Sequence, residues 1–182
     1  MQSLKIICIS GHARHGKDTV AGMIRKSLED RGERVLVAHY ADLVKYICRT
    51  FFDWNGEKDE YGRHLLQYVG TDVVREQQPD FWVNFIIQVL RFFCDNWSYV
   101  LIPDTRFPNE VEKLREAGFT VDHLRVQRDH FDSPLTEEQQ KHASETALDE
   151  TMPDHLIRNS GSLEDLATLT EQYVKENIYG EE

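Results

Sequence analysis

Cysteine is scarce in this chain, and the three that occur, Cys8, Cys48 and Cys94, show no C-x-x-C spacing. Each has apolar neighbours, so they read as reduced core thiols of a cytosolic protein, which excludes a disulfide framework and a zinc site. Positive charge is also in deficit: 21 Lys and Arg against 32 Asp and Glu give a formal net charge of −11. A surface of that sign argues against a nucleic-acid polymer or an anionic membrane as the main partner. It leaves a nucleotide open as a ligand, provided that cations gather locally around its phosphates. No apolar run approaches the ~20 residues that a membrane helix requires. The apolar stretch near the N-terminus is too short, and too soon followed by glycines, to read as a secretory signal. Internal repeats and low-complexity tracts are absent as well.

What is present reads as one globular domain over residues 1–182, a length that buries ~70% of the unfolded surface without staples. Apolar runs alternate with amphipathic stretches from end to end. Strands are expected over 4–9, 34–39, 98–102, 119–126 and 156–157, with helices over 41–52, 65–73, 80–95, 108–117 and 163–177. Ser133-Pro134 reads as a helix start and Ser162 as an N-cap. In the 80–95 helix, Phe81, Trp82, Phe85, Ile86, Val89, Leu90 and Phe93 are expected to form the buried stripe. Such alternation calls for a parallel sheet covered by helices on both faces, an α/β fold whose ligands gather at the carboxyl ends of the strands.

The first such end carries Gly11-His12-Ala13-Arg14-His15-Gly16-Lys17-Asp18-Thr19. Between a strand and a helix, G-x-x-x-x-G-K is a phosphate-binding loop: backbone N–H groups curl inward and the helix start adds a positive dipole end. Lys17 would reach the outer phosphates. One residue departs from the pattern, since Asp18 stands where a magnesium-binding Ser or Thr is usual, with Thr19 one place later. The third apolar strand runs into Asp104 and Arg106. A carboxylate there can hold a magnesium-bound water beside the loop lysine, and an arginine two residues on can grip a second phosphate bidentately. A turn acid and a surface ion pair are the plain alternatives.

Several segments together carry a family resemblance. They are Gly16-Lys17-Asp18-Thr19, Ala41-Asp42-Leu43-Val44-Lys45, Leu65-Leu66-Gln67-Tyr68-Val69-Gly70-Thr71 ahead of Arg75, and Asp80-Phe81-Trp82. Asp104-Thr105-Arg106-Phe107-Pro108-Asn109-Glu110, His142-Ala143-Ser144-Glu145 and Asn159-Ser160-Gly161-Ser162-Leu163 complete the set. In this order they resemble the phage-type deoxynucleoside monophosphate kinases of the P-loop kinase superfamily. The resemblance implies a three-layer α/β/α fold with a five-stranded parallel sheet, a helical monophosphate-binding region over about 41–96, and a lid over about 129–154. It implies transfer of the γ-phosphoryl group of ATP to a deoxynucleoside monophosphate with Mg²⁺, in the host cytoplasm for a phage-encoded member.

By that resemblance, residues 11–19 and Asn159 hold ATP, and Asp18 and Asp104 serve Mg²⁺ through water. Arg75 and Arg106 hold the acceptor phosphate, with Asp104 nearby, and Arg128 faces the transferring group beside Lys17 and Arg106. Arg125 is an alternative to Arg128. Asp42 and Lys45 stand beside the acceptor nucleotide or form a plain i,i+3 helix-start ion pair. Trp82 stacks on the acceptor base or packs in the core. His142 and Glu145 take a lid role with no specific mechanism. The residue types agree with this chemistry, because joining two anions demands cations and a dry site, and the acceptor oxygen is already ionised near pH 7. Two rival readings remain at this point. One is a different small-molecule P-loop kinase, of the dephospho-coenzyme A or phosphomevalonate type; a hydroxyl acceptor needs a base, so Asp42→Asn would abolish the first. The other is a nucleotide-binding switch, which usually carries an N-K-x-D motif, absent here. The base accepted and the sugar preference are not legible, and a homodimer is left open.

Overall fold

The computed structural model of the chain describes residues 4–129 and 131–181. Residues 1–3 and 182 of the expected domain, and residue 130 of the expected lid, lie outside the described residues. Five strands form one all-parallel sheet in the order β2-β3-β1-β4-β5: β1 Lys5–Ser10, β2 Val35–Val37, β3 Tyr99–Ile102, β4 Thr120–Gln127 and β5 His155–Arg158. The central strand β1 pairs Ile7 with Leu101 on one side and Ser10 with Arg125 on the other. Its unbroken apolar sequence follows from burial on both faces. Ile6 and Cys8 enter one core, and Ile7 and Ile9 enter the other, as the two-residue period of a strand requires.

On the Ile6 side lie α2 (Tyr40–Phe51), α3 (Glu60–Gln67), α5 (Phe81–Phe92) and α6 (Pro108–Glu116), contributing Val44, Leu65, Ile86 and Leu114. On the Ile7 side, α1 (Lys17–Asp30) and α9 (Leu163–Tyr173) contribute Val20, Ile24, Leu28 and Leu166. The three-layer α/β/α architecture is thus as expected. Burying one such Leu or Ile side chain stabilises the fold by about 1.5–3 kcal/mol, so the two cores fix the sheet edge on which the site is built.

Four local expectations are corrected. The 65–73 helix starts earlier, at Glu60, where the Asp59 side chain accepts from the Gly62 N–H; it widens to a π-helix over Tyr68–Val73 and ends as α4 (Val74–Gln77). The buried stripe of α5 is rotated: Trp82, Val83, Ile86, Ile87 and Leu90 are buried, while Phe81, Phe85 and Phe93 are exposed. Ser133-Pro134 starts no helix. Thr136 does so instead, its hydroxyl accepting from Gln139 N in a reciprocal capping box that opens α7 (Glu137–Lys141). Cys94 is exposed, because the chain leaves α5 for a 3₁₀ turn over Cys94–Asn96. The Ser162 cap of α9 is present, with its hydroxyl accepting from Asp165 N.

Candidate active site

β1 ends at Ser10 and α1 begins at Lys17, so residues 11–16 must reverse direction within six positions. Gly11 and Gly16 do this at φ 141° and 103°, where side chains are strained. Space also demands glycine. A Cβ on Gly11 would lie 2.2 Å from the Val126 carbonyl oxygen, and one on Gly16 would lie 2.7 Å from Asn159 Nδ2. Asn159, just after β5, uses that nitrogen to donate to His15 O at 3.0 Å, tying the loop to the end of the edge strand. Lys17 is 8% exposed and folds back, its Nζ donating to Gly11 O and His12 O at 2.8 Å each. Burial, reinforced by Arg106, lowers its pKa to about 7. Neutral carbonyls are weak partners for an ammonium, and phosphate oxygens are better ones.

Around this loop two cavities open. The first, about 660 Å³, lies among the loop, the end of β4 and the segment 144–149; Gly11, His12, His15, Arg128, Phe131 and Glu145 line it. Arg128 is exposed, with its guanidinium 4.8 Å from the Phe131 ring centroid. Its N–H donates to His15 Nδ1 at 3.2 Å, and burial together with His12 lowers the His15 pKa, so this imidazole is the neutral acceptor. Arg125 is engaged differently: it donates to the carbonyls of Leu148 and Thr151 and so fastens the segment after α8 (Ala143–Thr146).

The second cavity, about 640 Å³, lies between the loop and the helices α2 to α5. Lys17, Asp18, Lys45, Arg75, Trp82, Asp104 and Arg106 all line it. Among the described lining residues Lys45 is present and Asp42 is not; the two form the i,i+3 ion pair at 2.8 Å. Trp82 is buried, its indole N–H held by Gly70 O at 2.8 Å, and Phe81 sets its ring edge-on at 4.9 Å. Asp104 accepts from Tyr40 N at 3.1 Å and Ala41 N at 2.9 Å, anchoring the start of α2, and burial raises its pKa. Asp18 is the opposite case. Its side chain is 87% exposed, and His39 Nε2, 3.9 Å away, holds its carboxyl below the usual range. Thr19 is exposed beside it.

Arg75 stacks on Phe107 at 3.8 Å and donates to Glu110 Oε1 at 2.5 Å, Asn109 Oδ1 at 3.2 Å and Pro79 O at 3.1 Å. Its buried Nε has no hydrogen-bond partner among the described residues. Glu110 is 1% exposed, and its second oxygen accepts from the N–H groups of Arg106 and Phe107 at 2.7 and 3.1 Å. Burial, opposed by Arg75, pushes its pKa up to about 7. One buried carboxylate thus positions both candidate phosphate arginines. Sequence reading passed over this role, although a Glu three residues into a helix opened by proline is a capping signature. It also missed Lys58, Arg63 and His39 in the second cavity; no motif marks them. Arg106 and Ser144 line both cavities, and there Arg106 meets Glu145 at 2.7 Å and Ser144 O at 3.2 Å.

Comparisons with known proteins point to one family. A family described as deoxynucleotide monophosphate kinase matches residues 35–169. The phosphate loop precedes that stretch, so its assignment stands on its own geometry. The deoxynucleotide monophosphate kinase of Enterobacteria phage T4 is 32% identical over 115 residues, 62% of this chain and 45% of that protein. Its counterpart from Escherichia phage RB69 is 34% identical over 115 residues, 62% of this chain and 44% of that protein. The match therefore spans under half the length of either relative. In fold, the chain resembles the APS kinase of Mycobacterium tuberculosis in complex with AMPPNP and APS, with a TM-score of 0.57 at 14% identity over 96% of this chain and 99% of that one. Among the described residues no helix is long and apolar enough to cross a membrane. The family match covers most of the chain, including the strand ends and helices that carry Arg75, Arg106, Arg128 and Asn159, and this chain belongs to the deoxynucleotide monophosphate kinase family.

Proposed function

We propose that this chain transfers the terminal phosphoryl group of ATP to the phosphate of a deoxynucleoside monophosphate. The observation that carries the reading is the meeting of two cation-lined cavities at Arg106, both of them against the loop of residues 11–16. ATP lies along that loop, with Asn159 near its base, and the acceptor fills the cavity under α2 to α5. Residues 41–96 form the acceptor region and 129–154 the lid of a single kinase domain. Arg75 and Arg106, which both line that cavity, turn their positive charge toward the acceptor phosphate. Lys45 lies beside the acceptor nucleotide, and Trp82 shapes the pocket for its base from a fixed indole.

In the transfer, an ionised oxygen of the acceptor phosphate bonds to the terminal phosphorus. The bond from that phosphorus to the β-phosphate oxygen breaks, and ADP leaves with the electron pair. No proton needs a base, so the work falls to Lys17, Arg106 and Arg128, which neutralise and align the oxygens. Asp18 and Asp104 line the same cavity as Lys17, and the Asp18 side chain is 87% exposed. Among the described residues no three-ligand protein cage gathers. Two carboxylates without a cage suit Mg²⁺, which keeps several waters and takes its remaining ligands from phosphates. Bound there, the ion supplies further neutralisation of the phosphate oxygens. A coupled assay of ATP with each of the eight common nucleoside monophosphates tests the reading. Stoichiometric ADP and diphosphate formation with one or more deoxynucleotides is expected; ATP hydrolysis indifferent to every acceptor would reject it.

A further inference from the structure

The loop that is shaped for phosphate already holds an anion supplied by the chain itself. Glu145, its side chain 8% exposed, accepts from the Ala13 backbone N–H at 2.9 Å through Oε2 and from Arg106 Nη1 at 2.7 Å through Oε1. His12 Nδ1 stands 3.9 Å from the same Oε2. These partners are a loop amide and a guanidinium at the junction of the two cavities. Ala13 lines the acceptor-side cavity, Glu145 the other, and Arg106 both. The first amides of α1, beyond Gly16, form a helix start that favours anions. Ala13, three residues ahead of Gly16 in the loop, lines the acceptor-side cavity.

We propose that Glu145 occupies the place of the transferring phosphoryl group, and that a nucleoside triphosphate binds fully only by expelling this carboxylate. The inference rests on the kinase reading above and adds a residue that governs entry to the transfer position. The pair of carboxylate oxygens satisfies the donors that two oxygens of a terminal phosphoryl would otherwise satisfy. Charge balance is kept in the unliganded state, where Lys17 and Arg106 would otherwise repel across an empty junction. Expulsion also frees the lid. Glu145 sits on the single turn α8, and the side-chain ion pairs flanking that turn are His12 Nε2 to Asp149 at 3.1 Å and His142 Nε2 to Asp72 at 3.1 Å. Each of these ties is partly exposed and therefore weak. The carboxylate's two charge-assisted bonds are the principal latch.

Because the contested place is that of the terminal group, a diphosphate should not sense it. Calorimetric titration of the chain, E145A and E145Q with ADP and with the non-hydrolysable triphosphate AMPPNP, Mg²⁺ present, tests this. E145A is expected to bind AMPPNP roughly tenfold more tightly than wild type, about the worth of one charge-assisted hydrogen bond, with ADP affinity changed less than about twofold. E145Q keeps the shape but not the charge and is expected to gain severalfold for AMPPNP alone. AMPPNP affinity unchanged or weakened in both variants overturns the proposal, as does equal tightening of ADP and AMPPNP. A wild type that transfers phosphate yet shows no such difference rejects the latch and leaves the kinase standing. A wild type that binds neither nucleotide rejects both.

Discussion

The phosphate loop and the lid face each other across one cleft, and they are held by different physics. Residues 11–16 owe their shape to the backbone: two positive-φ glycines whose neighbours leave no room for a Cβ, a helix start, and a buried lysine. The lid is held by side chains. Its helices α7 and α8 have five and four residues and no fully buried residue, and beyond Leu148 and the Arg125 hydrogen bonds its ties include the ion pairs of Glu145, Asp149 and His142. The partly exposed pairs of Asp149 and His142 contribute ~0.2–1 kcal/mol each. The contrast suits a machine in which one wall is fixed and the other is displaced by its ligand.

The comparison can be broken in order of effect. Replacing Lys17 by Met should cost roughly 10²–10³ in kcat at unchanged fold, because one cation facing the transition state is lost. Steady-state kinetics with circular dichroism would check it, and a loss under tenfold would place Lys17 outside the transition state. Gly11→Ala should destabilise by about 2–3 kcal/mol, from strained φ and the Val126 clash, read as a lowered Tm. His142→Ala, on the lid side, should lower stability by less than about 1 kcal/mol in the same experiment. Equal losses would erase the distinction between a fixed wall and a movable one.

Sequence legibility followed the same division. Gly16-Lys17 and the Ser162 cap were readable because their partners lie within a few residues. The sheet was readable because β1 and β3 are apolar without interruption. The face of α5 was not: it is apolar on both sides, so α2 and α6 decide that Ile87 is buried and Phe85 exposed. Glu110 meets Arg75 across 35 residues, and Glu145 meets Ala13 across 132; no local pattern encodes either contact. Thr136 rather than Ser133 opens α7 because only Thr136 has Gln139 placed to complete the reciprocal cap.

A pH series sharpens the comparison further, with a smaller effect. Lys17 has a folded pKa of about 7, below its unfolded value, so between about pH 7 and pH 10 the unfolded chain binds the extra proton. Stability from this group should therefore rise with pH across that window and be lost below it. Wild type should gain Tm relative to Lys17→Met between pH 7 and pH 9, whereas Glu137→Gln on the lid, whose pair with Lys141 is fully solvated, should track wild type. Parallel curves for wild type and Lys17→Met would mean that the ammonium is not desolvated.

The central claim is that phosphoryl transfer happens where the two cavities meet at Arg106. Incubation with ATP labelled in its γ-phosphate and a deoxynucleoside monophosphate, followed by chromatography of the products, tests it most directly. The label is expected in the β-phosphate of the deoxynucleoside diphosphate, with Arg106→Ala slowing its appearance roughly 10²–10³-fold. Label recovered only as inorganic phosphate, or transfer untouched by the loss of Arg106, would contradict it.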